Sequence, residues 1–246
     1  MNKMLVFDYD GVIKKNDSNL TRENIKLINS IKSKNYTLML STGRLYKSLI
    51  KEKEMYDFEF DYYSCGNGNL LFDSEMKKCI WKNNTDNYKM SQLLIKYIKY
   101  IDNVKFLNEF GIYEENNYFE ANLHLKCSLS EKHIMTYEIV NGNELDYTSE
   151  PSDKLEMHIF KRSNKTKTIE ILQKIENIEN DNIFVVGDGL NDIEMICKYD
   201  GYYIGEIDKK YINTCNNLED FLDSVCENVE VKRKIYEYNK KSKHII

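Results

Sequence analysis

Proline is almost absent from this chain: one residue, Pro151, in 246. No Pro-rich stretch and no internal repeat divides it, which argues against a string of tethered modules. Cysteine is present without pattern. Cys65, Cys79, Cys127, Cys197, Cys215 and Cys226 contain no C-x-x-C pair, and His124, His133 and His158 have no paired spacing, so a zinc module is not indicated and reduced, mostly buried thiols are expected. No apolar run approaches the ~18 residues of a membrane span. The first residues enter an apolar strand with no basic-then-apolar leader, so a cytoplasmic protein is expected, with no membrane partner. Positive charge is also in deficit, the formal net charge being -5 and the isoelectric point near 5.6. The one local exception is the tail from Lys232 to Lys243, which reads as the solvated end of a terminal helix. A nucleic-acid partner would need a concentrated basic face, and none is expected.

What is there begins at once. Met4-Leu5-Val6-Phe7 is a short apolar run that ends in Asp8-Tyr9-Asp10-Gly11. Such a run, bounded by glycine, reads as a strand covered on both faces, and residues two apart on a strand point the same way. Asp8 and Asp10 then converge. Two carboxylates held together repel, so the pair calls for a cation, a hard divalent metal being the obvious one. An acidic strand-to-loop turn is the plainer alternative.

The remaining chain alternates. Leu20-Thr21 reads as a helix start, with Thr21 as N-cap, Leu20 stapled to Ile25, and Ile25, Ile28 and Ile31 on one face. Tyr36 to Leu40 is a second strand, ending in Ser41-Thr42-Gly43-Arg44, with a helix from about Arg44. A third strand near 61–64 precedes Cys65-Gly66-Asn67-Gly68-Asn69, then a hairpin of Leu70–Phe72 with Lys78–Trp81. After a different middle stretch, the pattern resumes with a helix from about Asn164, a strand at Ile183–Val186 and Gly187-Asp188-Gly189-Leu190-Asn191-Asp192 opening another helix. Tyr202 to Ile204 reads as a last core strand. Strand, helix, strand implies right-handed crossovers and a parallel sheet. The expected fold is therefore α/β, a Rossmann-like parallel core formed by residues 1–82 and 154–246. Residues 83–153 mix amphipathic helices (about 90–101 and 130–140) with short aromatic-bearing strands, and read as an inserted α+β domain. Pro151 stands at its return.

In an open α/β sheet, ligands bind outside the carboxyl ends of the strands. Asp8 with Asp10, Ser41 with Thr42 and Gly43, and Asp188 with Asn191 and Asp192 all fall at such ends, and Lys165 opens a helix. Their types fit one reaction. A carboxylate (Asp8) can attack phosphorus, a second acid (Asp10) can protonate the departing oxygen, and the Thr42 hydroxyl with the Gly43 amide can hold phosphate oxygens. Lys165 adds positive charge, Asp188 a further metal ligand, and Mg²⁺ offsets the crowded carboxylates. Plainer readings stand beside these. Ser41 and Thr42 can cap a helix, Lys165 can be a solvated lysine with Lys167 as the true partner, and Asp192 can complement a helix dipole. Tyr113, Tyr118 and Phe119 can be packing residues.

At these positions the sequence resembles the haloacid dehalogenase superfamily, most closely its Cof-like branch of type IIB sugar-phosphate phosphatases. Asp8-Tyr9-Asp10-Gly11 is similar to motif I, Ser41-Thr42-Gly43-Arg44 to motif II, Lys165 to motif III, and Gly187 through Met195 to motif IV. The resemblance implies that Asp8 becomes an aspartyl phosphate, with Asp10 as acid and then base. Mg²⁺ would be held by Asp8, the backbone carbonyl of Asp10, and Asp188. Asn191 would join the phosphate or metal shell, Asp192 would steady Lys165 or a metal-bound water, and Asn67-Gly68 would lie beside the substrate. The insertion would be the family's α/β cap, and the substrate a small phosphate ester handled by a monomer or small homo-oligomer. Three positions depart from the pattern: Val12 stands for a usual Thr, Thr166 for a Gly, and Glu206 for an Asn. Two other activities share the residues, a phosphomutase or phosphotransferase and a phospho-accepting signalling domain; the acid two residues after Asp8 and the insertion speak against the second.

Overall fold

β1 (Lys3–Phe7) runs through the middle of the molecule, and Met4, Leu5, Val6 and Phe7 have no solvent exposure. Side chains alternate across a strand, so the run divides between two cores. Leu5 and Phe7 pack with Ile25, Ile28 and Phe221 on one side; Met4 and Val6 pack with Ile169, Leu172 and Met195 on the other. The computed structural model describes residues 3–32, 36–83, 88, 92, 95–96, 98, 101–107, 109–110, 118–123, 145–150, 156–161, 163–207 and 212–226.

From β1 the chain passes through α1 (Ser18–Ile31) to β2 (Tyr36–Ser41), then α2 (Tyr46–Tyr56), β3 (Tyr62–Cys65), β4 (Leu70–Asp73) and β5 (Cys79–Lys82). α1 opens one turn earlier than its sequence suggests. Asp17 is the N-cap, accepting from the Asn19 amide at 2.7 Å, while Thr21 is buried inside the first turn, where its hydroxyl accepts from the Lys15 amide at 2.9 Å. Leu20 is half exposed and staples nothing, whereas Ile25, Ile28 and Ile31 form the expected buried face. An Asp in extended conformation caps as well as a Thr, so helix start signals three or four residues apart compete.

A second sheet follows, built from β6 (Ile101–Leu107), β7 (Tyr118–Leu123), β8 (Leu145–Glu150) and β9 (Glu156–Lys161). It is antiparallel, in the order β6-β7-β9-β8. β9 lies past the expected return at 153, because its partners are β7 and β8. The expected helix over 130–140 and the segment 111–115 fall outside the described residues, as does most of the helix expected near 90–101.

The chain then returns through α3 (Lys165–Glu176), β10 (Ile183–Gly187), α4 (Ile193–Lys198), β11 (Tyr202–Ile204), β12 (Asn213–Cys215) and α5 (Leu218–Val225). The first sheet has eight strands in the order β12-β11-β10-β1-β2-β3-β4-β5. β12 through β3 are parallel, and β4 with β5 form the antiparallel hairpin. β12 extends the sheet beyond the expected last strand, Tyr202–Ile204. β1 pairs with β2 on one side and β10 on the other, so the strand order reverses at β1. That reversal opens the crevice where α/β sheets place their ligands.

Candidate active site

Asp8 is the first residue past β1, and its amide donates to the Val186 carbonyl of β10 at 3.0 Å. Period-two alternation puts its side chain on the Met4 and Val6 side, under α3. There Lys165 meets it. Asn164 caps α3, its side chain accepting from the Lys167 amide at 3.1 Å, and this turns Lys165 inward as the first helical residue. The Lys165 ammonium donates to Asp8 Oδ1 at 2.5 Å and to Asp192 Oδ1 at 2.6 Å. Lys165 is 1% exposed and Asp192 has no exposure; Lys167 faces solvent.

Asp192 works in two directions. Its other oxygen accepts from the amides of Asp188 at 3.1 Å and Gly189 at 2.9 Å, which fixes the turn after β10. Gly187 has no room for a side chain because Asp192 fills that space. The turn in turn presents Asp188 against Gly11, which has a φ of +82° and lies where any Cβ would collide with the Asp188 carboxylate. The loops after β1 and β10 therefore interlock.

Oxygens of Asp8, Asp188 and Asp192 all lie within 4.8 Å of one another. Burial pushes the Asp8 carboxyl up to about 7, with Lys165 pulling it down and Asp192 pushing it up. Burial also raises Asp188, Asp192 adding to the effect. Burial lowers the Lys165 amine, but Asp8 and Asp192 more than offset this and hold it above its ordinary value. Three carboxylates against one ammonium leave two negative charges when all are ionised. Such an all-oxygen donor set fits a hard divalent cation, for which Asp8 and the partly exposed Asp188 are candidates.

Thr42, Gly43, Asn67 and Asn191 form the other wall. The Thr42 amide donates to the Ser64 carbonyl at 3.0 Å, and the Thr42 hydroxyl accepts from the Arg44 amide at 3.1 Å. Asn67 donates its own amide to the Thr42 carbonyl at 3.1 Å, lies against Gly43, and accepts from Asn191 Nδ2 at 3.1 Å. One turn thus joins the ends of β2 and β10. The same turn holds the segments that lead to and from the second sheet. Asn83 donates its amide to the Asn69 carbonyl at 2.8 Å, and Ser163 donates its hydroxyl to the Gly68 carbonyl at 2.9 Å.

Asp10 goes elsewhere. Its side chain is 51% exposed and is gripped by Arg44, whose Nε and Nη2 donate to the two carboxylate oxygens at 2.7 and 2.8 Å. Asp10 is outside the cluster of three acids. Arg44 Nη1 also donates to Ser48 Oγ at 3.2 Å and Glu52 Oε1 at 2.9 Å. In the sequence Arg44 and Tyr9 stand out only within their motifs, and Glu52 not at all. A signal was present: Ser48 and Glu52 are one turn apart on α2, and Arg44 lies four residues ahead of Ser48, just before the helix. Of the three departures, Val12 is wholly buried and belongs to the core, the Thr166 hydroxyl is buried with no partner among the described residues, and Glu206 is exposed.

A family model of haloacid dehalogenase-like hydrolases matches residues 5–155 and 130–217. The chain belongs to that family, and it is an enzyme. An uncharacterized protein of Mycoplasma capricolum is 28% identical over 79% of this chain and 87% of its own length. Among solved structures, a protein of Thermotoga maritima superposes with a TM-score of 0.68 at 15% identity, covering 95% of this chain and 97% of that one. A haloacid dehalogenase-like hydrolase of Bacteroides thetaiotaomicron gives 0.67 at 14% identity, with 95% and 99% covered. The sucrose-phosphatase of Synechocystis, solved with sucrose and phosphate, gives 0.57 at 16% identity, with 92% and 97% covered. At these identities the structures share the fold.

Proposed function

We propose that this enzyme is a Mg²⁺-dependent phosphatase of a small phosphorylated metabolite, a sugar phosphate, working through an aspartyl phosphate on Asp8. The observation that carries this reading is the placement of Asp8. A nearly buried carboxylate stands at the tip of the central strand, with one oxygen on the Lys165 ammonium. Its other oxygen would attack phosphorus. Thr42 and Gly43, with Asn191, receive the phosphate oxygens. As the bond from Asp8 to phosphorus forms, the bond to the ester oxygen breaks, and Asp10 gives that oxygen its proton. Water then attacks the aspartyl phosphate, losing a proton to Asp10 and releasing inorganic phosphate and the free Asp8 carboxylate. Lys165 stays charged throughout and offsets the growing negative charge. Asp8, Asp188 and the backbone carbonyl of Asp10 would hold Mg²⁺, which supplies charge neutralisation for the phosphoryl oxygens.

The second sheet is read as an inserted cap, reaching from about residue 83 to about 162, that selects the substrate by closing over the site. Its near end touches the core at Phe110, whose ring lies 5.1 Å from Tyr46 and 5.6 Å from Phe72. The sucrose-phosphatase neighbour supports the sugar-phosphate class. A diffusible substrate of this kind suits a cytoplasmic enzyme.

The test is phosphate release from a panel of phosphorylated sugars, nucleotides and pyridoxal phosphate, with Mg²⁺ and with chelator. Asp8→Asn is expected to abolish turnover, and Asp10→Asn to slow it by ~10²–10⁴-fold, the usual worth of a general acid. Hydrolysis by the Asp8 variant at the unsubstituted rate would refute the mechanism, and an isomeric phosphate in place of free phosphate would make the enzyme a mutase.

A further inference from the structure

We propose that Glu52 is a positioning residue for Asp10, acting through Arg44. The inference rests on the phosphatase reading above, in which Asp10 is the acid and base.

Asp10 lies beyond the end of β1, where no ladder fixes its side chain. What fixes it is the Arg44 fork, which meets both carboxylate oxygens. A planar guanidinium sets the plane and direction of the carboxylate it binds, provided the fork itself cannot turn. Glu52 and Ser48 take the remaining Arg44 nitrogen from the far side, and the guanidinium sits 5.4 Å from the Tyr9 ring centre. Arg44 is thus held on three sides.

Glu52 is itself held. It is 8% exposed on α2, and it accepts from Tyr9 OH at 2.9 Å and from the Lys14 ammonium at 2.5 Å as well as from Arg44. Tyr9 stands between Asp8 and Asp10 in the chain, and the backbone of Lys14 bridges to that of Asp10 across the following turn. One buried carboxylate on α2 therefore gathers both ends of the Asp10 loop and the arginine that aims its acid. Two cations, Lys14 and Arg44, balance two anions, Asp10 and Glu52. A buried ion pair adds little net stability once desolvation is counted, so the distinctive contribution of this arrangement is direction.

The competing view is a structural ion pair that merely anchors α2. Leaving-group dependence separates the two. Phenyl phosphate needs a proton on its departing oxygen and dinitrophenyl phosphate does not, while both present the same phosphate to Asp8. Misplacing a catalytic group by about an ångström costs up to ~10²-fold. Glu52→Gln is therefore expected to lower kcat/KM for phenyl phosphate roughly ten- to a hundredfold, and to leave dinitrophenyl phosphate within about twofold, because general-acid help is not needed there. In an Asp10→Asn background the same substitution should add nothing, since two residues acting through one group are not additive. Arg44→Lys keeps the charge but loses the fork, and should reproduce the leaving-group dependence if Glu52→Gln does not fold.

An equal loss on both esters, or a loss that adds fully to that of Asp10→Asn, would overturn the inference while leaving the proposed function intact. Hydrolysis of both esters that does not depend on Asp8 would overturn the proposed function, and the inference with it.

Discussion

Lys165 is the residue on which the site's electrostatics turn. A lysine with 1% exposure between Asp8 and Asp192 is tolerated because each charge has a partner. Removing it leaves two buried carboxylates facing each other. Breaking a buried pair in this way costs about 3–5 kcal/mol, so Lys165→Met is expected to lower the unfolding free energy of the metal-free protein by that order, read by urea titration, and to remove turnover. A loss below about 1 kcal/mol would mean that the pair behaves as a surface bridge. In the sequence Lys165 stood out only through the resemblance, beside a solvated reading with Lys167 as the partner, because its burial between Asp8 and Asp192 depends on contacts distant in the chain. The contact of Arg44 with Asp10 was not legible, since it joins residues 34 positions apart, in the turns that follow β2 and β1. Thr21 was misread for a local reason: Asp17 also caps, and only the backbone of residue 17 decides between them.

Among the elements, those with a strong apolar rhythm were read correctly. β1, β2, β3, β10 and α3 each alternate or repeat in a way that burial on two faces or one explains. β12, Asn213-Thr214-Cys215, carries no such rhythm. It is a short, partly exposed edge strand whose place is set by its ladder with β11. β9 lies beyond the expected boundary at 153, and its membership in the second sheet depends on non-local pairing that no local pattern records. The turn from Gly66 to Asn69 was expected, through the resemblance, to lie beside the substrate; it also ties together the ends of β2 and β10 and both connections to the second sheet. Gly68 has a φ of +82°, and a Cβ there would run into the Asn164 carbonyl. Gly68→Ala is expected to cost on the order of 1–3 kcal/mol from backbone strain alone, seen as a lower melting temperature. Because Asn67 is the next residue, kcat should fall with it. An unchanged melting temperature would show that the connection yields easily.

For the whole molecule, the proposed ion binding would be linked to folding through Asp8. Its carboxyl is raised to about 7 in the folded, metal-free protein from an ordinary 3.8. The folded state then holds the proton more tightly than the unfolded chain, so this contribution to stability is complete below the ordinary carboxylate range and is lost as pH rises through about 7. A divalent cation favours the ionised form. Mg²⁺ is therefore expected to raise the melting temperature more at about pH 8 than at about pH 5, by linkage, and equal shifts at the two would contradict a carboxylate site. The position of Asp8 has one more consequence. It follows four side chains with no exposure, Met4 to Phe7, in a strand laced to a neighbour on each side. Amides in such a strand exchange with deuterium only when the whole domain opens. The proposed nucleophile is thus anchored to backbone that is among the last to open.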